Sequence, residues 1–261
     1  METWLLMLAG GFAAGVFGSL LGLGGGVLIV PLLTLGFNLP LRDAVGVSLA
    51  CVVATSAIGA ATFLERRIAD LRLAMFLELF TAAGAIAGGL IAFALDEQLL
   101  AGLFALMLLY VATTMVRRAL RPDPAEAAAN ETADTVPEPR NLPLGAGGAV
   151  FGGVISALLG IGGGVVMVPL IHLGMGVPLR VATATSTVMI AVTAAASAIV
   201  YLVRGAIDPY VLGPTAVGVF VGALVGSRNA QRIDLRVLRL LFIVVLAYTA
   251  VLMVNRAVAP T

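Results

Sequence analysis

The chain has 261 residues, of which 61% are apolar and 11% are charged. A soluble domain typically carries about 25% charged residues, so the composition excludes a water-soluble fold and predicts an integral membrane protein. Aromatic residues make up only 6% of the chain, whereas glycine contributes 31 residues. This balance favours closely packed helices over a β-barrel with aromatic girdles.

The charged residues and the single cysteine exclude further classes. All 15 basic residues are arginine and the formal net charge is +1, so no nucleic-acid partner is indicated. Cys51 is the one cysteine, which excludes a disulfide framework and a cysteine-based metal cluster. No basic segment precedes the first apolar stretch, so we expect residues 5–21 to be a retained helix and not a cleaved signal peptide.

Ten helical segments are predicted in chain order, five in each half. In each half the second segment has about 12 residues and covers only ~18 Å, too short to cross ~30 Å of hydrocarbon. Because each short segment follows a glycine run and contains a proline, it is predicted to be broken or re-entrant. The predicted segments cover 4–21, 25–36, 43–64, 71–95 and 97–117, and then 143–159, 163–175, 181–203, 209–230 and 235–255.

The two halves are an internal duplication without gaps. When the sequence is shifted by 138 positions, the stretch 22–42 lies on 160–180 with 13 of 21 residues identical. The register aligns Pro31 with Pro169 and Ser48 with Ser186, which composition bias does not explain. We therefore expect a first transmembrane repeat over 1–120, a second over 142–261, and between them a linker at 121–141 that is rich in proline, alanine and acid.

Arginine placement predicts the orientation of the repeats. If every segment changes side, one face collects 12 of the 15 arginines, including those of the linker. The positive-inside rule places that face in the cytoplasm. An odd number of segments per half makes the repeats inverted, with both termini periplasmic. A re-entrant hairpin made of the first two segments gives the same sidedness, so arginine counting leaves hairpin and full crossing open.

Each glycine run is predicted to form an uncoiled turn ahead of a short helix. The runs complete neither GxGxxG nor a Walker A motif, so no nucleotide cofactor is indicated. Close helix packing is the alternative reading, and it suits glycines at four-residue spacing better. Exposed N–H groups at such a turn attract anions, and inverted repeats would bring two turns to one midplane site. The predicted substrate-binding glycines are Gly24, Gly25, Gly26, Gly162, Gly163 and Gly164.

Hydroxyl residues near these turns are predicted to line the same cavity. Residues seven apart share a helix face, as Ser48 and Thr55 do in one half and Ser186 and Thr193 in the other. Each hydroxyl could instead bond a carbonyl of its own helix. The predicted set is Ser19, Ser48, Thr55, Ser156, Ser186 and Thr193.

Glu78 is the one acid well inside a long apolar segment. An ionised carboxylate there costs about 2.5–3.5 kcal/mol on insertion scales. It is therefore a candidate ion-coupling group, or else a carboxyl reaching for Arg72 or the interface. Its repeat mate is Ala216, so the repeat itself does not require an acid.

The remaining unusual residues have ordinary structural explanations. His172, the only histidine, has apolar neighbours and is expected to be packed and neutral, with a ligand role as the alternative. Cys51 is expected in the core. Arg42 and Arg180, which are repeat mates, are expected to reach the membrane surface, or to act at the two cavity mouths. No metal site is predicted.

With these residues in hand, the chain resembles the sulfite exporter TauE/SafE family. The resemblance rests on the run from Gly22 to Pro31 with its repeat at Gly160 to Pro169, and on the approach from Pro40 to Ser48 and from Pro178 to Ser186. It implies a transporter of sulfur-containing anions, such as sulfite or organosulfonates, in the bacterial inner membrane. The sequence departs from the family pattern where 46–48 reads Gly-Val-Ser.

The expected protein is thus an all-α, multi-pass carrier of small sulfur-containing anions, surrounded by lipid, with no cofactor and no enzymatic activity. An oligomer is left open. A passive anion channel is the first alternative, because it would share the glycine turns without needing Glu78. The second is an intramembrane serine enzyme that pairs Ser19 or Ser156 with His172, although no Gly-x-Ser-x-Gly motif is present.

Overall fold

The computed structural model describes residues 2–21, 24–120, 139–229 and 235–258. Over these residues the chain is helical, and each half contributes five helices. The first half contains α1 (Glu2–Leu21), α2 (Gly26–Pro31), α3 (Leu41–Glu65), α4 (Leu71–Ala94) and α5 (Glu97–Leu120). The second half contains α6 (Leu142–Leu159), α7 (Gly164–Pro169), α8 (Leu179–Val203), α9 (Pro209–Asn229) and α10 (Leu235–Val258). The predicted all-α class is confirmed, whereas most of the linker lies outside the described residues.

The short second helix of each half is broken by its proline. Helix α2 ends at Pro31 and continues as a wider π-helical turn over Leu32–Gly36, and α7 ends at Pro169 and continues over Leu170–Gly174. Proline lacks the N–H that an α-helical bond would need, so the hydrogen-bond register slips after it.

Each short helix folds back along the helix before it. A Cβ built on Gly18 would overlap Gly25, and one built on Gly10 would meet the side chain of Leu32. The order of these contacts makes α1 and α2 an antiparallel hairpin. Gly148 meets Leu170 in the same way in the second half. Antiparallel pairing is common to a re-entrant hairpin and to two consecutive crossings, so the re-entrant hairpin stays a prediction.

The two halves interlock through exchanged helices. Helix α1 packs along α9, and α6 packs along α4, so the first helix of each half lies on the fourth helix of the other. The third helices, α3 and α8, contact each other, as do the fifth helices, α5 and α10. Neither half therefore buries its apolar faces alone.

Glycines allow the exchanged helices to approach to backbone contact. A Cβ on Gly84 would overlap the carbonyl oxygen of Val150, and a Cβ on Gly222 would overlap that of Phe12. Gly84 and Gly222 are repeat mates, and so are Val150 and Phe12. The same close contact is thus built twice, as small residues at a membrane helix interface permit.

The third helices run in opposite directions. Gly46, near the start of α3, lies against Tyr201 and Ala206 at the end of α8, while Gly59, late in α3, lies against Thr187, early in α8. Because α3 and α8 are repeat mates, this is the arrangement that an inverted repeat requires. The orientation of the repeats in the membrane stays a prediction.

Seven of the described helices are long and apolar enough to cross a membrane. Many large apolar side chains on these helices face outward, among them Met75 and Leu79 at 72% exposure each. Such exposure suits acyl chains and not water. The chain is a multi-pass membrane protein.

Candidate functional site at the two glycine turns

Two glycine turns lie at the centre of the helices, and both adopt a backbone that favours glycine. In the first turn Gly24 and Gly25 have φ of 72° and 81°. In the second, Gly160, Gly162 and Gly163 have φ of 69°, 83° and 77°. These left-handed values are costly for residues with a side chain. The glycines of GLGGG at 22–26 and of GIGGG at 160–164 therefore favour turns that composition alone would not explain.

The two glycine turns touch each other. A Cβ built on Gly26 would overlap the carbonyl oxygen of Gly160 and would lie 3.0 Å from the Cα of Ile161. The hydroxyl of Ser48 donates to the Gly160 carbonyl at 2.8 Å and lies 3.4 Å from the Gly26 carbonyl. One side chain of α3 thus ties both turns together, and its bond to Gly160 joins residues 112 positions apart along the chain.

An apolar pair from α3 and α8 lies against both turns. Val52 and Ile190 are repeat mates, and both are buried. A Cβ on Gly162 would lie 2.6 Å from a methyl of Val52 and 2.7 Å from a methyl of Ile190, and both residues also flank Gly24. Their position against both turns places them where the two repeats meet.

The threonine mates Thr55 and Thr193 make different bonds. Thr55 donates to the carbonyl of Gly24 at 2.7 Å. Thr193 donates instead to Oε1 of Glu78 at 2.9 Å. The first repeat therefore uses its threonine to hold a glycine turn, whereas the second uses it to hold a carboxyl group.

Three buried serine hydroxyls beside the turns have no hydrogen-bond partner within the described part of the chain: Ser56, Ser156 and Ser186. The Oγ of Ser156 lies 3.5 Å from a Cβ built on Gly163, that of Ser56 3.7 Å from one built on Gly24, and that of Ser186 3.8 Å from one built on Gly164. A buried hydroxyl without a partner is costly. All three are thus available to a ligand held at the turns.

Backbone donors lie beside these hydroxyls. In the first turn the amides of Leu28 and Ile29 donate to the carbonyl of Gly25. In the second turn the amides of Val166 and Met167 donate to the carbonyl of Gly163 in the same way. The amides at the very start of a helical segment have no earlier helical carbonyl to bond. Those of Gly26 and Gly164 open the two segments. The centre thus combines neutral O–H and N–H donors, a set that suits an oxyanion.

Glu78 lies in a groove between α4 and α8. The groove has a volume of about 360 Å³ and is lined by apolar side chains that include Met75, Val188 and Val192. Glu78 Oε1 accepts the Thr193 bond, and its buried Oε2 has no partner among the described residues. The carboxyl therefore reaches inward to α8, and not toward Arg72 or the membrane surface.

Several predicted residues lie apart from this centre. Ser19 donates to the Val16 carbonyl of its own helix and packs against Gly226 on α9. His172 Nδ1 donates to the carbonyl of Val177 at 2.8 Å. Cys51 is buried in the core. His172 thus serves the loop that leads into α8, and the Ser19 hydroxyl bonds within its own helix.

The two arginine mates also differ. Arg42 donates through Nε to the Ala92 carbonyl at 3.2 Å and through Nη2 to the Leu95 carbonyl, so it holds the end of α4. It also lies over the ring of Phe93. Arg180 makes no hydrogen bond to a described residue. The structure thus gives Arg42 a structural role that the repeat did not predict.

Ser56 was not selected from the sequence as a site residue. Its signal was available, because positions seven and eight residues apart share one helical stripe, and Ser56 is eight residues after Ser48. The repeat gives no support for Ser56, because its repeat mate is Ala194, whereas Ser48 and Thr55 have hydroxyl residues as mates. Only the structure shows that the Ser56 hydroxyl lies beside Gly24 with no hydrogen-bond partner among the described residues.

Comparison with known proteins decides the family. The family described as Sulfite exporter TauE/SafE matches residues 7–253 of the chain. The chain belongs to this family. It is 28% identical over 221 residues to the Probable membrane transporter protein YdhB of Bacillus subtilis (strain 168), covering 83% of this chain and 86% of the relative. It is 22% identical to the Probable membrane transporter protein YunE of the same organism, over 94% of each chain. No solved structure matches.

Membership of the TauE/SafE family makes this protein a membrane transporter. Of the alternatives that the sequence allowed, the family favours transport over an intramembrane enzyme. The glycine turns that carried the resemblance are also the elements that the structure brings together at its centre.

Proposed function

We propose that this protein is a secondary transporter that exports sulfur-containing anions, such as sulfite or an organosulfonate, across the bacterial inner membrane. The family supports the transport class and the type of anion. The termini are proposed to be periplasmic and the linker cytoplasmic, since that orientation puts 12 of the 15 arginines in the cytoplasm.

The observation that carries the proposal is the meeting of the two glycine turns beside serine hydroxyls that have no hydrogen-bond partner in the described part of the chain. The anion is proposed to bind between Gly24–Gly26 and Gly162–Gly164, with Ser156 and Ser186 as hydroxyl donors. Ser56 joins them as a third donor. An oxyanion would satisfy hydroxyls that are otherwise buried without a partner, which gives the site a physical reason to bind.

Neutral donors suit a carrier, which must release what it binds. An arginine beside the anion would hold it through a charge-assisted, bidentate bond. Arg42, the basic residue nearest in sequence to the first turn, is instead occupied at the end of α4. Ser48 and Thr55 contribute indirectly, because their hydroxyls hold the carbonyls of Gly160 and Gly24 and so orient the turns.

Glu78 is proposed as the group that couples ion movement to transport. A passive channel would not need a carboxyl between two apolar helices, where it is costly. The bond from Thr193 gives this carboxyl a direct connection to α8, the helix that also carries Ser186. Protonation of Glu78 would therefore change a hydrogen bond to α8, a helix that contributes to the proposed anion site.

Transport by the purified full chain in proteoliposomes tests the proposal. Vesicles loaded with unlabelled sulfite should take up radiolabelled sulfite by exchange, and sulfoacetate, thiosulfate and sulfate added as competitors should rank the preferred anion. An imposed pH gradient should drive accumulation above equilibrium. Uptake that never exceeds equilibrium would show a channel, and absence of uptake for all four anions would overturn the proposed substrate class.

A further inference from the structure

The repeat mates Thr55 and Thr193 donate their hydroxyl protons to different acceptors, although they occupy equivalent positions in the two repeats. In the first repeat, Thr55 donates to the Gly24 carbonyl, and Val52, one turn earlier on α3, flanks the same glycine. In the second repeat, Ile190, one turn before Thr193, flanks Gly162. In the repeat register, the carbonyl of Gly162 occupies the position relative to Thr193 that the carbonyl of Gly24 occupies relative to Thr55.

Glu78 takes this bond away from the second turn. A threonine hydroxyl has one proton to donate, and Thr193 donates it to Oε1 of Glu78. The mate of Glu78 is Ala216, whose side chain cannot accept a bond. Thr55 therefore meets no carboxyl group, and its only acceptors among the described residues are the carbonyls of Gly24 at 2.7 Å and Val52 at 3.0 Å. The different bonds of the two threonines thus follow from a single substitution between the repeats.

We propose that Thr193 is the positioning residue that transmits the ionisation state of Glu78 to the second glycine turn. While Glu78 is ionised, its carboxylate is a charge-assisted acceptor and holds the Thr193 hydroxyl. When Glu78 is protonated, that bond loses its charge assistance, and the hydroxyl turns to the Gly162 carbonyl as Thr55 does to Gly24. This inference rests on the proposed function, because the second turn is taken as half of the anion site.

On α8, the helix that faces Glu78, Thr193 is the residue that donates a hydrogen bond to the carboxyl group. Helix α4 packs against α6 and α8. Helix α6 carries no ionisable side chain. The other ionisable groups lie toward helix ends: Asp70 and Arg72 at the start of α4, and Arg180, Tyr201 and Arg204 toward the two ends of α8.

The turn that Thr193 would reach is the one with two free hydroxyls. Gly163 and Gly164 face Ser156 and Ser186, both without a partner among the described residues. A bond to the Gly162 carbonyl would rotate the peptide unit next to them and so change how the donors meet an anion. Proton binding and anion binding are thereby linked through one hydroxyl.

The test separates coupling from transport by two readouts in proteoliposomes, exchange of radiolabelled sulfite without a gradient and its accumulation under a pH gradient. Thr193→Val keeps the shape of the side chain and removes the donor. We expect accumulation to fall by about tenfold, the scale of one charge-assisted bond, and by a clearly larger factor than exchange. Thr193→Ser should restore accumulation, and adding Thr193→Val to Glu78→Gln should cause no further loss.

Thr55→Val is the matched control. Thr55 bonds the Gly24 carbonyl and the Val52 carbonyl of its own helix but no carboxyl group, so its variant should lower exchange and accumulation together. The inference is overturned if Thr193→Val accumulates sulfite as wild type does, or if it loses both readouts in the same proportion as Thr55→Val. Should Thr193→Val fail to fold, Thr193→Ala decides by the same criterion. A wild-type protein that moves no sulfite contradicts the proposed function instead.

Discussion

Ser48 on α3 donates a hydrogen bond to the carbonyl of Gly160 at 2.8 Å, while its repeat mate Ser186 on α8 is buried with no partner among the described residues. Two serines at equivalent positions therefore have different roles. Ser48 holds the two glycine turns against each other. Ser186 keeps its hydroxyl available beside Gly164.

This difference predicts that one of two matched substitutions lowers stability, whereas the other weakens sulfite binding. Ser48→Ala leaves the Gly160 carbonyl without its bond and should lower the free energy of unfolding by about 1–3 kcal/mol. Ser186→Ala removes no bond, so it should not lower stability, but it should raise the KM for sulfite. Thermal unfolding in detergent and exchange kinetics measure the two effects. Equal loss of stability in both variants would contradict the assignment.

The left-handed glycines should not tolerate even a methyl group. Gly25 and Gly163 have φ of 81° and 77°, and alanine in this region costs about 1–2 kcal/mol. Gly25→Ala and Gly163→Ala should therefore distort the turns and reduce sulfite exchange. Gly147→Ala and Gly213→Ala are controls, since a Cβ at either position meets no atom within 4 Å. Normal exchange by both turn variants would exclude the turns as the anion site.

Substitution of the glycines at the helix contacts should lower the free energy of unfolding. A Cβ on Gly84 or Gly222 would overlap a backbone carbonyl of the exchanged helix, which cannot move aside as a side chain can. Gly84→Ala and Gly222→Ala should each lower stability by about 1–3 kcal/mol, the usual cost of overpacking. Thermal unfolding measures this, with Gly213→Ala on the same helix as Gly222 for comparison. A variant as stable as wild type would show that the helices can separate at no cost.

Glu78→Gln should uncouple transport from the pH gradient. The amide keeps the size of the side chain and removes the titrating group, so accumulation driven by pH should disappear while sulfite exchange persists. Glu65→Gln, at the exposed end of α3, is the control and should leave both activities unchanged. If Glu78→Gln accumulates sulfite normally, the carboxyl has only a structural role.

The orientation of the chain can be tested with reporter fusions. A fusion after Thr261 should report a periplasmic C-terminus, and one at Ala128 should report a cytoplasmic linker, because the arginines concentrate on the linker side. An alkaline phosphatase and a green fluorescent reporter at each position give complementary signals. A cytoplasmic C-terminus would contradict the inverted arrangement.

The sequence by itself determined the membrane class, the segments and the repeat. Apolar runs must form helices in a bilayer, since every backbone polar group needs a partner there. The predicted segments therefore agree with the helices to within a few residues, as 71–95 does with α4 at Leu71–Ala94. The glycine runs and prolines also predicted the broken short helices, because their backbone requirements are local.

Only the tertiary structure decided which residues act together. That Ser48 reaches Gly160, that Thr193 bonds Glu78 and that Ser56 has no partner among the described residues depend on how α3, α4 and α8 cross. A repeat predicts equivalent surroundings for its mates. One unequal pair, Glu78 and Ala216, is enough to redirect a hydrogen bond, because a hydroxyl has a single proton and donates it to the stronger acceptor within reach.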